Sequence, residues 1–353
     1  MKFRFYRAYV RVVDAHLPIL RARLTRWLSL ESRPSEVAGG LTHPGDVHAV
    51  FVIWQPRETG WYVWNALDAL AEAGINVTLV VNNPLPVDRL EALRARAHRV
   101  LLRDNSGFDM GGYRDAILGL AGRAPDRLLI LNDSVYYFRA GLTELFSRLA
   151  ISDHDVCATY ENCAVQHHTQ SFCYSISRRM LEQPDYIRFW KDYLPVNVRG
   201  WAIRKGEIAG AHCLARLARS TEVLFSAARL RTSITALDLA QLQDLADYLP
   251  SDSRAALRAL PQRREALVDE ILAAVDMRSQ IHSSGFLCRR FLGSPLLKRD
   301  LMFRGLYRMH ELETLLRTVG AEGHDEEILA DMRRKGVGSQ LLGRARQRFL
   351  LDI

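Results

Sequence analysis

The feature that most constrains this chain is a short apolar run, Leu128-Leu129-Ile130-Leu131, that stops abruptly at Asn132-Asp133-Ser134. Four apolar residues with no polar alternation fit a parallel strand covered on both faces. Just upstream, Asp104-Asn105-Ser106-Gly107-Phe108-Asp109-Met110-Gly111-Gly112 reads as a loop that opens a helix over 113–120, where Ile117 and Leu120 follow Tyr113 at helical spacing. One polar cluster thus precedes a helix and another leaves a strand. In open α/β sheets ligands bind beyond the carboxyl ends of the strands. Glycines let the backbone approach a ligand, and helix N-termini favour anions. The stretch predicts a site for a phosphorylated small molecule.

The flanking sequence alternates strand and helix. Residues 47–54, 76–81 and 100–102 read as strands, and 61–73 (closed by Gly74) and 87–97 as helices. Such alternation with short loops predicts a mostly parallel sheet with crossover helices on both faces. Beyond Ser134 the pattern loosens, with short strands at 156–160, 171–176 and 223–225 and helices at 143–149, 178–181, 186–193 and 207–219. Residues 237–275 are dense in Ala, Leu, Arg and Asp at helical spacing, and from Phe286 onward the chain reads as mostly helical. Four segments follow: a basic amphipathic helix and linker (1–38, the linker lying within 31–44), the α/β domain (39–230), a helical insertion (231–278) and a C-terminal helical region (279–353).

Composition narrows the class. At 353 residues, 48% hydrophobic and 25% charged, the chain has the make-up of a soluble globular protein. No stretch reaches the roughly 20 apolar residues of a bilayer span, and arginines interrupt any apolar region a signal peptide would need. Five scattered cysteines, with no Cys-x-x-Cys pair, favour reduced, cytoplasmic thiols over disulfides or a zinc site. The net charge of +8 gathers at the ends: Lys2, Arg4, Arg7, Arg11, Arg21, Arg23 and Arg26 against Asp14 alone, and Arg333, Arg334, Lys335, Arg344, Arg346 and Arg348 in the tail. At the N-terminus it is interleaved with Phe3, Phe5, Tyr6, Val10, Leu17, Ile19, Leu20, Leu24, Trp27 and Leu28. Two readings stay open: a helix lying on an anionic membrane surface, or a basic helix packed on the protein's own core. No recognition motif accompanies the charge, so nucleic acid is not an expected partner.

Asn105-Ser106-Gly107-Phe108-Asp109-Met110-Gly111-Gly112-Tyr113, followed by Leu131-Asn132-Asp133-Ser134, resembles the rhamnan synthesis protein F family, bacterial glycosyltransferases of cell-surface polysaccharide assembly. His168-Thr169-Gln170-Ser171-Phe172, Lys205-Gly206-Glu207-Ile208 and the surroundings of His282 fit the same pattern, so the likeness runs from about residue 50 to 312. The resemblance implies a GT-A-like, Rossmann-type fold and a nucleotide-sugar donor, dTDP-rhamnose by the family's name. It also implies a saccharide or polyprenyl-diphosphate-linked acceptor, as in O-antigen synthesis, and a peripheral place on the inner face of the cell membrane.

Sugar transfer needs charge neutralisation at the diphosphate, a base for the acceptor hydroxyl and a fixed donor. Asp133, alone between Asn132 and Ser134 where GT-A enzymes usually carry Asp-x-Asp, is the candidate ligand for Mg²⁺ or Mn²⁺; the alternative is a turn cap. Asn105, Gly107, Asp109, Gly111 and Gly112 are expected at the donor nucleoside and ribose, or else as a helix cap and its turn. Glu207, opening a helix after Gly206, is the expected general base with Glu161 as competitor; the plainer reading is a first-turn Glu on the helix dipole. His168 and Gln170 are expected at the donor sugar or diphosphate, or else satisfying loop backbone. His282 is the late candidate for the metal or diphosphate. Arg289, Arg290, Lys298 and Arg299, close to His282 in sequence, could meet diphosphate, membrane lipid or solvent, and a solvated face is the expectation for each singly.

Overall fold

The computed structural model describes residues 2–120, 122–164, 166–261, 263–276 and 279–351, without the side chains of Lys2, Phe3, Arg4 and Phe5. The parts assigned above to those four side chains, and the ends of the insertion and tail at 277–278 and 352–353, lie outside the described residues.

Among the described residues twelve strands form: β1 (Ser35–Ala38), β2 (Val47–Ile53), β3 (Asn76–Val81), β4 (Arg99–Leu102), β5 (Arg127–Asn132), β6 (Val135–Tyr137), β7 (Val156–Ala158), β8 (Glu161–Asn162), β9 (His168–Thr169), β10 (Cys173–Ser177), β11 (Thr221–Val223) and β12 (Leu296–Lys298). Eight of them make one sheet in the order β1-β4-β3-β2-β5-β10-β7-β11. The block β4-β3-β2-β5 is parallel throughout, and β7-β11 is parallel again. The β1, β5-β10 and β10-β7 pairings are antiparallel. The expected α/β class with a mostly parallel sheet is what the chain folds into.

The reason is visible in β3 and β5, whose residues are buried on both faces from end to end. Phe51, Ile53, Leu129 and Leu131 pack on one side with Tyr62, Val63 and Leu67. Val50, Val52, Leu128 and Ile130 pack on the other with Met110, Tyr113 and Ile117. Each such side chain contributes about 1.5–3 kcal/mol on burial, so helices must cover both faces. The helices Ala227–Thr235, Leu239–Leu245 and Arg264–Asp276 add Leu230, Ile234, Leu242, Leu245 and Ile271 to the first of these cores.

Several expected boundaries move. The stretch read as linker contains β1, an edge strand whose Val37 pairs with Val100. The helix expected at 113–120 begins at Phe108, so Gly111 and Gly112 lie inside it rather than ahead of it. Strand β12, within the region read as helical, pairs with β6, opposing Lys298 to Val135. These pairings join distant segments and leave no local signature.

Residues 2–27 are helical with a π-helical turn at Val12–His16. Ala15, Ile19 and Ala22 pack against Leu194, Val196, Val198 and Trp201, and Arg344 of the C-terminal helix pairs with Asp14. The opposite side exposes Tyr6, Tyr9, Val12, Leu17, Leu20, Leu24 and Trp27. The helix thus has an inner face on the protein and an outer apolar stripe. Among the described residues no helix is long and apolar enough to cross a membrane.

Candidate functional site

Strand β5 ends in Asn132, and its successors face alternate ways. Asn132 and Ser134 line a cleft of ≈ 310 Å³ shared with Asp109, Phe172, Glu207, Lys298 and Arg304. Asp133 points away from it. Its Oδ2 accepts from the Trp54 amide (2.9 Å) and from Gln55 Nε2 (2.5 Å), both just beyond β2. Ser134 donates to Asn132 Oδ1 through its amide (3.0 Å) and hydroxyl (2.6 Å), and Asn132 Nδ2 donates to Asp109 Oδ2 (2.6 Å). Asn132 is therefore the hub that ties the strand end to the first turn of the helix Phe108–Gly119.

That turn is held tightly. Gly107 sits at φ 74°, and Phe108 follows at φ 55°, a left-handed conformation that strains a residue with a side chain. Asn82 Nδ2 holds the Phe108 carbonyl (2.9 Å) and reaches Asn105 Oδ1 (3.2 Å), while Arg103 bonds Asn82 Oδ1 and the Ser106 carbonyl. The glycines make room for protein. A Cβ on Gly107 would come 2.6 Å from Pro195 Cβ, on Gly111 2.0 Å from the Ser106 carbonyl oxygen, and on Gly112 2.8 Å from Val52 Cγ1. Close approach is what they allow, but to the chain's own backbone and core.

Glu207 enters from below the cleft. It does not open a helix: the chain is helical from Arg199 to Leu217, and Glu207 sits in a π-helical turn, Ala202–Ile208. Gly206, one residue earlier, meets Met110 so closely that a Cβ would stand 2.5 Å from its Cγ. The helix-dipole role thus falls away, and Glu207 joins Asp109, Asn132 and Ser134 on one wall. His168 and Gln170, two residues apart and on one side of an extended segment, are both buried behind it. Gln170 Nε2 donates to Glu207 Oε1 (3.3 Å), and His168 Nε2 stands 3.9 Å from the same oxygen. Both back the carboxylate instead of lining the cleft. Glu161 does not line it either. It is held by His167 Nε2 (2.7 Å) and Gln280 Nε2 (3.1 Å).

Charge is concentrated here. Burial, then the carboxylate of Glu207, pushes the Asp109 carboxyl up to about 6. Burial also raises Asp133, opposed by the Arg299 guanidinium. Lys298 and Arg299, expected in solvent, straddle the strand end. Lys298 Nζ donates to Ser134 Oγ (2.9 Å) inside the cleft, and Arg299 Nη1 donates to the Asp133 carbonyl (2.7 Å) while pairing with Asp331. The sequence does not separate Lys298 from the basic residues around it, because the β6–β12 pairing is what brings it there.

For a divalent cation, Asp133 offers Oδ1, since the Trp54 amide and Gln55 both donate to Oδ2. That fits an ion held chiefly by phosphate oxygens with one protein carboxylate. It does not fit an ion shared with His282, whose Nδ1 meets Ser279 Oγ (2.7 Å) and Nε2 meets Asp300 (2.8 Å). Burial drives His282 down to about 4. Among the described residues no group of three or more His, Cys, Asp and Glu gathers to hold a metal.

Comparison with known proteins places part of this architecture. Residues 77–241 match the family model of rhamnan synthesis protein F, just under half of the chain. The uncharacterized protein y4gN of Sinorhizobium fredii (strain NBRC 101917 / NGR234) is 29% identical over 166 residues. That alignment covers 45% of this chain and 43% of the relative, so less than half of the relative's length is matched. Among solved structures, the mannosyltransferase PcManGT from Pyrobaculum calidifontis in complex with GDP-Man and Mn²⁺ aligns over 98% of this chain and 96% of its own, at 12% identity and a TM-score of 0.34. S. aureus TarS aligns over 82% of this chain and 53% of its own, at 11% identity and a TM-score of 0.33. Superpositions this loose carry no chemistry over to the present cleft. The stretch that matches the rhamnan synthesis protein F model does cover Asn105 to Ser134, His168, Gln170 and Glu207.

Proposed function

We propose that this protein transfers a sugar from a nucleotide-activated donor to an acceptor hydroxyl in bacterial surface-polysaccharide synthesis, with inversion. The observation that carries the reading is that Glu207, braced from behind by Gln170, opens onto the same cleft as Asp109, Asn132 and Ser134 at the carboxyl end of β5. A carboxylate so placed takes the proton of an attacking hydroxyl, and Asp109 and Asn132 give the donor polar partners. Asp133, on the far side of the strand end, would hold a divalent cation through Oδ1 only where the diphosphate reaches past the end of β5; such an ion's chemistry is to offset charge on the leaving group. Rhamnose from dTDP-rhamnose is the sugar that the family description supports. The test is a panel of nucleotide sugars incubated with purified protein, with and without Mn²⁺. Consumption of one donor above the others supports the reading, with dTDP-rhamnose expected. Consumption of none, by folded protein with acceptor present, sinks it in favour of a non-catalytic scaffold of the same fold.

A second observation concerns location. The exposed stripe Tyr9, Val12, Leu17, Leu20, Leu24 and Trp27 is flanked by Arg7, Arg11, Arg21 and Arg23, and its inner face already rests on the protein. This supports docking on an anionic membrane at its cytoplasmic face, where a polyprenyl-diphosphate-linked acceptor would be presented. Flotation with anionic and neutral vesicles tests it. Equal binding to both, or binding that survives Leu20→Asp with Leu24→Asp, removes the proposal.

A further inference from the structure

We infer that Lys298 is the cation that holds the donor's diphosphate in this cleft, independently of any metal at Asp133. Strand β12 pairs with β6 so that Lys298 stands opposite Val135, one residue past Ser134. The side chain crosses the face of Phe172 at 4.7 Å and ends on Ser134 Oγ at 2.9 Å. Its charge has no ion-pair partner among the described residues. Asp300, two residues on, is taken by His282 and Arg304. Asp109 and Glu207 act on it only through space, and Asp109 is already engaged by Asn132. Arg299, its neighbour, is by contrast matched to Asp331.

A desolvated ammonium without a counter-ion destabilises a fold, and burial accordingly pulls the Lys298 ammonium down. The arrangement makes sense when the anion arrives with the ligand. Arg304 lines the same cleft and adds a second cation to it. Asp133 is held on the other side of the strand end, so Lys298 acts apart from any cation that Asp133 would hold. The inference rests on the proposed function for what the diphosphate carries, while the anion pocket stands apart from it.

The test is calorimetric titration of inorganic pyrophosphate and of dTDP in EDTA, using the full chain and Lys298→Gln, Lys298→Met and Lys298→Arg. Glutamine keeps a donor for Ser134 and loses the charge. Wild type is expected to bind both probes without metal. Gln and Met should weaken binding by about 10–100-fold, the size of one charge-assisted contact, and Arg should restore most of it. Lys298→Met should melt no lower than wild type, because a desolvated charge has been removed; a purely structural lysine would lower it. Equal binding by wild type and Gln, or binding by wild type only with metal, overturns the inference. Lysine-dependent pyrophosphate binding without consumption of any nucleotide sugar would sink the transfer reading alone. Sugar transfer unaffected by Lys298→Gln would sink the lysine alone.

Discussion

Asp109 is where the chemistry of the cleft works against the stability of the fold. Burial, then Glu207 and Asp133, raises its carboxyl from 3.8 to about 6, while the Met110 amide and Lys298 hold it down. Below the lower value neither folded nor unfolded chain is charged there, and folding is not penalised. Between the two values only the unfolded chain ionises, so stability falls as pH rises. Above about 6 the penalty is complete, at about 3 kcal/mol. Asp109→Asn abolishes the titration. An amide has one acceptor oxygen, so it keeps the hydrogen bond from Asn132 or the one from Met110 but not both, a loss of about 1 kcal/mol at every pH. Near about pH 4.5 the penalty removed is also about 1 kcal/mol, and the variant should match wild type. Near about pH 7.5 it should be more stable by about 2 kcal/mol. Urea unfolding across that range, with unchanged m-values, measures the difference. A difference that stays flat with pH would show that Asp109 is not a strained carboxylate and that its burial is fully compensated.

Three further outcomes follow from the same geometry. Glu207→Gln should leave donor affinity nearly unchanged and lower transfer by roughly 10²–10⁴-fold, while Glu161→Gln, outside the cleft, does much less; steady-state kinetics that rank them the other way would move the base to Glu161. Asp133→Ala should fold and lose roughly 10²-fold in turnover, with the loss greatest when Mn²⁺ is present; near-normal turnover would remove Asp133 from the diphosphate. Gly112→Ala places a Cβ 2.8 Å from Val52 Cγ1 and should destabilise by about 1–3 kcal/mol in urea, whereas an unchanged midpoint would mean that Val52 turns aside freely.

The sequence by itself determined the sheet and half of the site. Uniform apolar runs such as 128–131 leave a strand no exposed face, and helices at regular intervals can only cover both sides, so the α/β class follows from local pattern. The polar residues leaving β5 and opening the next helix were legible for the same reason: strand and helix ends occur where the apolar pattern stops. What each residue of those clusters faces was decided by tertiary structure. Asn132 and Ser134 turn into the cleft and Asp133 away, because alternation along the strand is fixed only once β2 and β5 are in register. Gly111 and Gly112 read as donor contacts through the family resemblance, yet Ser106 and Val52 fill the space beside them. His168 and Gln170 read as donor contacts, but β9 buries them behind Glu207. Lys298 stood out only as one of four basic residues near His282, with a solvated face the expected outcome. Its place beside Ser134 comes from the pairing of β6 with β12, and a contact between residues 164 positions apart has no trace in local propensity.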